Sequence, residues 1–207
     1  MQLVKGVYLP AHEVHLLQWA KEDDWRYQGE KLDAALKYVR EKGVAIDIGG
    51  HCGLWSKELT RIFGLTVAFE PVPEHRECFE RNVKGNYKLY PFALGEKEGS
   101  VKLKKDPVSS GGTHVDPEGD IEAEMKRLDD VYQGTVDFIK IDTEGYEEFI
   151  LKGATNLLKQ KPVIIVEQKR GHGSFYGLKD TGAVEYLKTL GYKQKELMHG
   201  DYVMVHD

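Results

Sequence analysis

One stretch constrains the fold more than any other. The apolar run Val44 to Ile48 ends at Gly49-Gly50-His51-Cys52-Gly53, and Trp55, Leu59, Ile62 and Phe63 then share one helical stripe. This reads as a buried strand, a glycine turn and an amphipathic helix. The pattern repeats on both sides. Leu32, Ala35, Leu36 and Val39 predict a helix stopped by Gly43. Downstream, Thr66 to Phe69 predicts a strand, Pro71 and Pro73 open a helix with Phe79 and Val83 on its buried face, and Tyr87 to Leu94 predicts a third strand. Strands joined by helix-length crossovers form a parallel sheet covered on both faces, so the expected class is α/β with a doubly wound, mostly parallel Rossmann-like sheet.

The middle of the chain changes character. Val101 and Leu103 alternate with lysines, and Ile121, Ala123 and Met125 alternate with charged residues, which predicts half-exposed strands in an antiparallel excursion. Between them Ser109, Ser110, Gly111 and Gly112 predict a flexible loop. The parallel pattern resumes with Asp137 to Asp142, a helix carrying Phe149 to Leu158, and the strand Val163 to Val166. A helix around Val184, Leu187 and Leu190 follows, and Tyr192 to Leu197 and Tyr202 to Val205 flank His199-Gly200-Asp201 as a C-terminal antiparallel hairpin. The expected organisation is one domain over 1–207, with a helical segment at 1–42, a cofactor-binding core at 43–168 and a helix and hairpin at 169–207.

Composition removes several function classes. A net charge of -5 disfavours a protein whose main partner is a phosphate backbone, so no nucleic acid is expected. Cys52 and Cys78 have no spacing suited to a zinc site or disulfide framework, which suits a reducing, cytoplasmic setting. Charged and histidine residues interrupt the first 20 positions, and no run approaches a membrane span of about 20 apolar residues; neither a secretory leader nor membrane insertion is expected.

In an open parallel sheet, ligands bind beyond the carboxyl ends of the strands, where strand order reverses. The glycine turn lies at such an end. Glu70 closes the second strand about 20 residues later, where a carboxylate can accept from both ribose hydroxyls of an adenosine. That spacing suits NAD and S-adenosylmethionine alike. A pyrophosphate, however, needs Gly-x-Gly-x-x-Gly, and Gly49-Gly50-His51-Cys52-Gly53 does not supply it. An NAD(P)-dependent oxidoreductase is therefore the second reading.

From Gly43 to Gln168 the chain resembles the FkbM-type branch of class I S-adenosylmethionine-dependent methyltransferases. Asp47, Gly49, Gly50 and Gly53 match its Asp-x-Gly-Ala-Asn-x-Gly turn, with His51 in the place of asparagine. Phe69-Glu70-Pro71, Ala93-Leu94-Gly95, Leu128-Asp129, Leu151-Lys152-Gly153-Ala154 and a strand ending in Glu167 follow in order. The most specific match is Lys140-Ile141-Asp142-Thr143-Glu144-Gly145-Tyr146-Glu147, similar to Lys-Ile-Asp-Val-Glu-Gly-x-Glu. The resemblance implies S-adenosylmethionine as cofactor and methyl transfer, with a hydroxyl on a sugar-like or small-molecule acceptor as the expected target. It also implies that Asp47, Gly49, Gly50, His51 and Gly53 face the methionine portion, Glu70 and Pro71 the ribose, Ala93 the adenine, and Asp142 the methyl end. The altered His51-Cys52 turn leaves a catalytically silent, methyltransferase-like binding module as a third reading.

Asp142, Glu144, Glu147 and Glu167 form an acidic set on the same sheet edge. They could serve as a general base, or as oxygen ligands for Mg²⁺. Glu144 and Glu147 are equally explained as caps of the following helix, so the metal reading is not the favoured one, and carboxylates without histidine disfavour zinc. Asp142, Glu167 and His172, the last on a glycine-flanked loop, are the catalytic candidates. Lys140 lies on the same strand face as Asp142 and needs a partner, expected to be Asp142 or Glu167.

Overall fold

The computed structural model describes residues 1–19 and 26–206. The chain opens with β1 (Gln2–Val4) and β2 (Val7–Leu9), then α1 (Gly29–Leu36), β3 (Val44–Ile48), α2 (Leu54–Ile62), β4 (Leu65–Phe69), α3 (Pro73–Asn82) and β5 (Tyr87–Tyr90). The excursion comprises β6 (Ala93–Leu94), β7 (Gly99–Lys104), β8 (His114–Val115) and β9 (Ile121–Lys126), and α4 (Leu128–Val131) leads back. There follow β10 (Phe138–Ile141), α5 (Glu147–Lys152), α6 (Thr155–Leu158), β11 (Val163–Glu167), α7 (His172–Phe175), α8 (Gly182–Thr189), β12 (Tyr192–Met198) and β13 (Asp201–His206).

Seven strands form the main sheet in the order β12-β13-β11-β10-β3-β4-β5, parallel from β5 to β11 and antiparallel through β13 and β12. Alternate strand residues point to opposite faces. Ile46, Ile48, Ile139 and Ile141 pack with α5, α6 and α8, whereas Ala45, Phe138 and Ile165 pack with Leu32 of α1 and Trp55 and Leu59 of α2. Both faces are covered, which is why these strands read as unbroken apolar runs. From β3 the chain runs outward to β4 and β5, then returns to β10 on the other side. The switch point therefore lies at the carboxyl ends of β3 and β10.

The excursion expected to be antiparallel is a separate four-stranded sheet, β6-β9-β7-β8, antiparallel except for its parallel β6–β9 pair. Four local readings change. The predicted strand Tyr87 to Leu94 divides at Pro91, which has no N–H to continue the ladder, and β6 pairs with β9 instead. The helix predicted through Leu158 breaks into α5 and α6 at Gly153, where a Cβ would stand 2.0 Å from Gly95 O. The segment 1–42, expected to be helical, begins with the β1–β2 hairpin, whose two-residue turn holds Lys5 and Gly6 at φ 46° and 81°. The supposedly flexible Ser109–Gly112 loop forms a short 3₁₀ turn with Ser110 buried. Among the described residues, no helix is long and apolar enough to cross a membrane.

Candidate active site

Two neighbouring cavities open at the switch point. The first, about 630 Å³ with its open mouth included, is walled by Phe69, Val72, Phe92, Leu94, Leu103 and Ile150, with Glu70 and His75 among its polar groups and Pro71 and Ala93 on its lining. The second, about 720 Å³, is lined by Tyr27, Gln28, Trp55, Lys140, Glu167 and Lys169 among others. Gly49, His51, Gly111, Asp142 and Glu144 line both.

The glycine turn contributes shape rather than hydrogen-bond donors. Gly49 has φ 76°, and a Cβ there would lie 2.0 Å from Asp142 O, so the β3 and β10 tips meet only because the side chain is missing. The Gly49 and Gly50 amides donate to Phe69 O at 3.1 and 3.0 Å, and the His51 amide donates to Glu70 Oε2 at 2.8 Å. Glu70 Oε1 also accepts from Val72 N at 2.8 Å. Gly53 lies on neither cavity: it precedes α2 and packs against Phe79 and Val83.

Asp47 is the clearest departure from the sequence reading. It is fully buried and lines neither cavity, because it sits on the α2 face beneath the turn. Ser56 Oγ donates to Asp47 Oδ2 at 2.6 Å, and Lys140 Nζ lies 3.3 Å from Oδ1. The parallel register pairs Lys140 with Asp47, which makes Asp47 its main partner; Asp142 lies farther off at 4.0 Å. Lys140 also donates to Gly49 O at 2.8 Å, tying the turn down.

The acidic edge sorts by environment. Glu147 turns back to accept from Thr143 N at 3.0 Å and Gly145 N at 2.9 Å, a capping role. Burial raises the Asp142 carboxyl, but the charges of Lys140 and Lys169 outweigh it and hold Asp142 below the usual range. Burial and the Asp142 charge push Glu144 up to about 7 and Glu167 up to about 9, although Lys169 Nζ lies 2.8 Å from Glu167 Oε1. Asp142 is thus the ionised member of the group, and Glu167 holds its proton longest. His172 lines neither cavity; it stands behind Glu144, with Nδ1 3.0 Å from Oε2, and burial followed by the Lys169 charge lowers its pKa.

Glu144, Glu167 and His172 offer ligand atoms within 4.8 Å of one another. A histidine thus joins the carboxylates, so the argument against softer ions from carboxylates alone does not carry over. Within the chain, Lys169 supplies the cluster's positive partner. The Cys52 thiol is pushed well above its usual range by burial and is no nucleophile.

Several site residues had no sequence signal. His75 is one histidine on a polar helix, Lys169 one lysine after a strand, and Glu13 lies in the segment without motifs. Glu13 accepts from Ser110 N at 2.7 Å and from the Ser110 hydroxyl, and Ser110 Oγ faces His51 Nε2 at 2.7 Å. The N-terminal arm thereby holds the loop that borders both cavities. Burial and the neighbouring His75 lower His51 to about 3, so its ring is neutral.

Known proteins resemble this chain at the level of family and fold. The chain is 27% identical over 156 residues to hexuronic acid methyltransferase AglP of Haloferax volcanii, covering 72% of this chain and 65% of that protein. The crystal structure of methyltransferase FkbM from Methylobacillus flagellatus KT superposes with a TM-score of 0.51 at 15% identity, over 79% of this chain and 43% of that one. A putative rRNA-methylase from Clostridium thermocellum gives 0.52 at 10% identity, over 85% and 94%. At these identities the two crystal structures speak for the fold alone. The model of the methyltransferase FkbM domain matches residues 47–193, from the first core strand to the start of the terminal hairpin. With well over half of its length in that match, the chain belongs to the methyltransferase FkbM domain family.

Proposed function

We propose that this domain transfers the methyl group of S-adenosylmethionine to a hydroxyl on a carbohydrate or small-molecule acceptor. The observation that carries this reading is the shared wall: an apolar chamber and a polar chamber meet at Asp142 and Glu144. The first chamber fits the cofactor. Its apolar walls, Phe69 and Phe92 among them, suit adenine, and buried Glu70 suits a ribose diol. The Gly49 and Gly50 amides are already bonded to β4, which leaves them unable to cradle a pyrophosphate and counts against NAD(P). When bound, the cofactor supplies a methyl group already activated by its sulfonium, so the protein has to align, desolvate and remove a proton.

Asp142 is the ionised carboxylate at the junction and orients the reacting groups there. Glu144, raised to about 7 and facing both chambers, is suited to accept the hydroxyl proton, with His172 holding its other side. Trp55, Tyr27 and Gln28 give the second chamber the mix of aromatic and amide surface that packs on and hydrogen-bonds a sugar. The Haloferax relative, named for hexuronic acid, supports a carbohydrate acceptor.

The test is transfer of labelled methyl from S-adenosylmethionine to hexuronic acid glycosides, neutral sugars and simple alcohols. Transfer to oxygen is expected, and Asp142→Asn should lower kcat at least tenfold with little change in melting temperature. Binding without transfer to any acceptor would favour the silent module. Undiminished turnover in Asp142→Asn would move the chemistry to another residue.

A further inference from the structure

His75 stands in the first turn of α3, 2% exposed, on the lining of the apolar-walled cavity beside Glu70. Its Nδ1 lies 3.2 Å from Glu70 Oε1. A carboxylate only accepts, so Nδ1 carries the hydrogen, and in the tautomer with that one ring hydrogen Nε2 is a bare acceptor. That Nε2 is buried and has no hydrogen-bond partner among the described residues.

The nearby donors are committed elsewhere. The His51 ring meets His75 edge-on at 4.5 Å, but its Nε2 is engaged with Ser110 Oγ at 2.7 Å, and its Nδ1 with Cys52 Sγ at 3.4 Å. The Ser110 hydroxyl donates to Glu13, and the Thr113 hydroxyl donates to Ser110 O at 2.8 Å. Buried polar atoms in native proteins nearly always find a partner. An orphaned acceptor on a residue that lines this cavity therefore points to a donor carried by the ligand.

We infer that His75 Nε2 accepts a hydrogen bond from a ribose hydroxyl of the bound cofactor, making His75 and Glu70 a pair of acceptors for the vicinal diol. This rests on the S-adenosylmethionine reading given above. His75 Nε2 lacks a donor and Glu70 has lone pairs to spare, and the diol is the part of the cofactor that offers two hydroxyls side by side. Adenine carries its donors on one exocyclic amine and otherwise presents acceptors, which would face His75 and Glu70 without bonding.

Calorimetric titration of the whole chain with S-adenosylhomocysteine and its 2′-deoxy and 3′-deoxy analogues tests the inference. His75→Asn keeps an amide N–H for Glu70 where Nδ1 stands but has no acceptor in the place of Nε2. It should bind S-adenosylhomocysteine about tenfold more weakly, while one deoxy analogue binds variant and wild type equally. Unchanged affinity for S-adenosylhomocysteine, or the same loss for all three ligands, overturns it. Nitrogen-15 spectra of the wild type need no variant: the His75 Nε2 resonance should move with S-adenosylhomocysteine and not with the matching deoxy analogue, and a resonance indifferent to both overturns the inference. A wild type that binds none of the ligands removes the cofactor reading and this inference together, whereas tight binding indifferent to His75 removes this inference alone.

Discussion

Glu144 and Glu147 stand three positions apart at the start of one helix and serve different ends. Glu147 is 1% exposed and closes its own turn, whereas Glu144 reaches both cavities. Burial raises both carboxyls. With a folded pKa of about 7 against an ordinary 4.5, Glu144 keeps its proton longer in the native state than in the unfolded chain. Its contribution to stability is complete below about pH 4.5 and is lost as pH rises through about 7. Glu144→Gln should remove that decline, on the order of 3 kcal/mol across the window, as read by urea melts at each pH. Methyl transfer by the wild type should rise through the same window as the carboxylate forms. A stability difference between variant and wild type that is flat with pH would place Glu144 in open solvent. The positions of Glu70 and Asp142 were legible in the sequence because each follows the carboxyl end of a parallel strand, β4 or β10. Glu144 was named in the acidic set but not told apart from Glu147, since acids at a helix start look alike whether they cap or line a cavity. Asp47 was misread because a strand pattern carries no record of depth beneath a turn.

The strands and helices of the main sheet were legible for a related reason: burial on both faces forces continuous apolar runs with helical stripes between them. The loop at Ser109–Gly112 was not. Serine and glycine read the same whether a loop is free or held, and the holding group, Glu13, lies 97 positions away. One Glu13 oxygen caps the 3₁₀ turn His15–Trp19 through Leu16 N at 2.7 Å, and the other takes Ser110. The arm and the loop are therefore one latch beside the cavities. Glu13→Ala removes hydrogen bonds to a charged group worth about 1.5–3 kcal/mol each before offsets. It should raise amide exchange across 109–113 and speed release of S-adenosylhomocysteine at least tenfold in a stopped-flow displacement. Unchanged exchange and release would mean that the loop is held by its other contacts.

For the molecule as a whole, ligand binding and folding are linked. S-adenosylhomocysteine at a hundredfold excess over its Kd should stabilise the native chain by about 2.7 kcal/mol, seen as a higher melting temperature, and NAD should leave it unmoved. Stabilisation by NAD alone would overturn the cofactor reading. The Asp47–Lys140 pair bears on the whole chain in another way. It joins the first core strand to a strand 93 positions later, beneath the turn that borders both cavities. Removing either charge alone strands the other in the interior, at about 3–5 kcal/mol, a large share of what holds a domain of this size together. Replacing both with apolar residues of matching volume carries no such penalty. Point mutation therefore meets a valley at each of these two positions, and descent from an ancestor with this pair preserves both residues or exchanges them together.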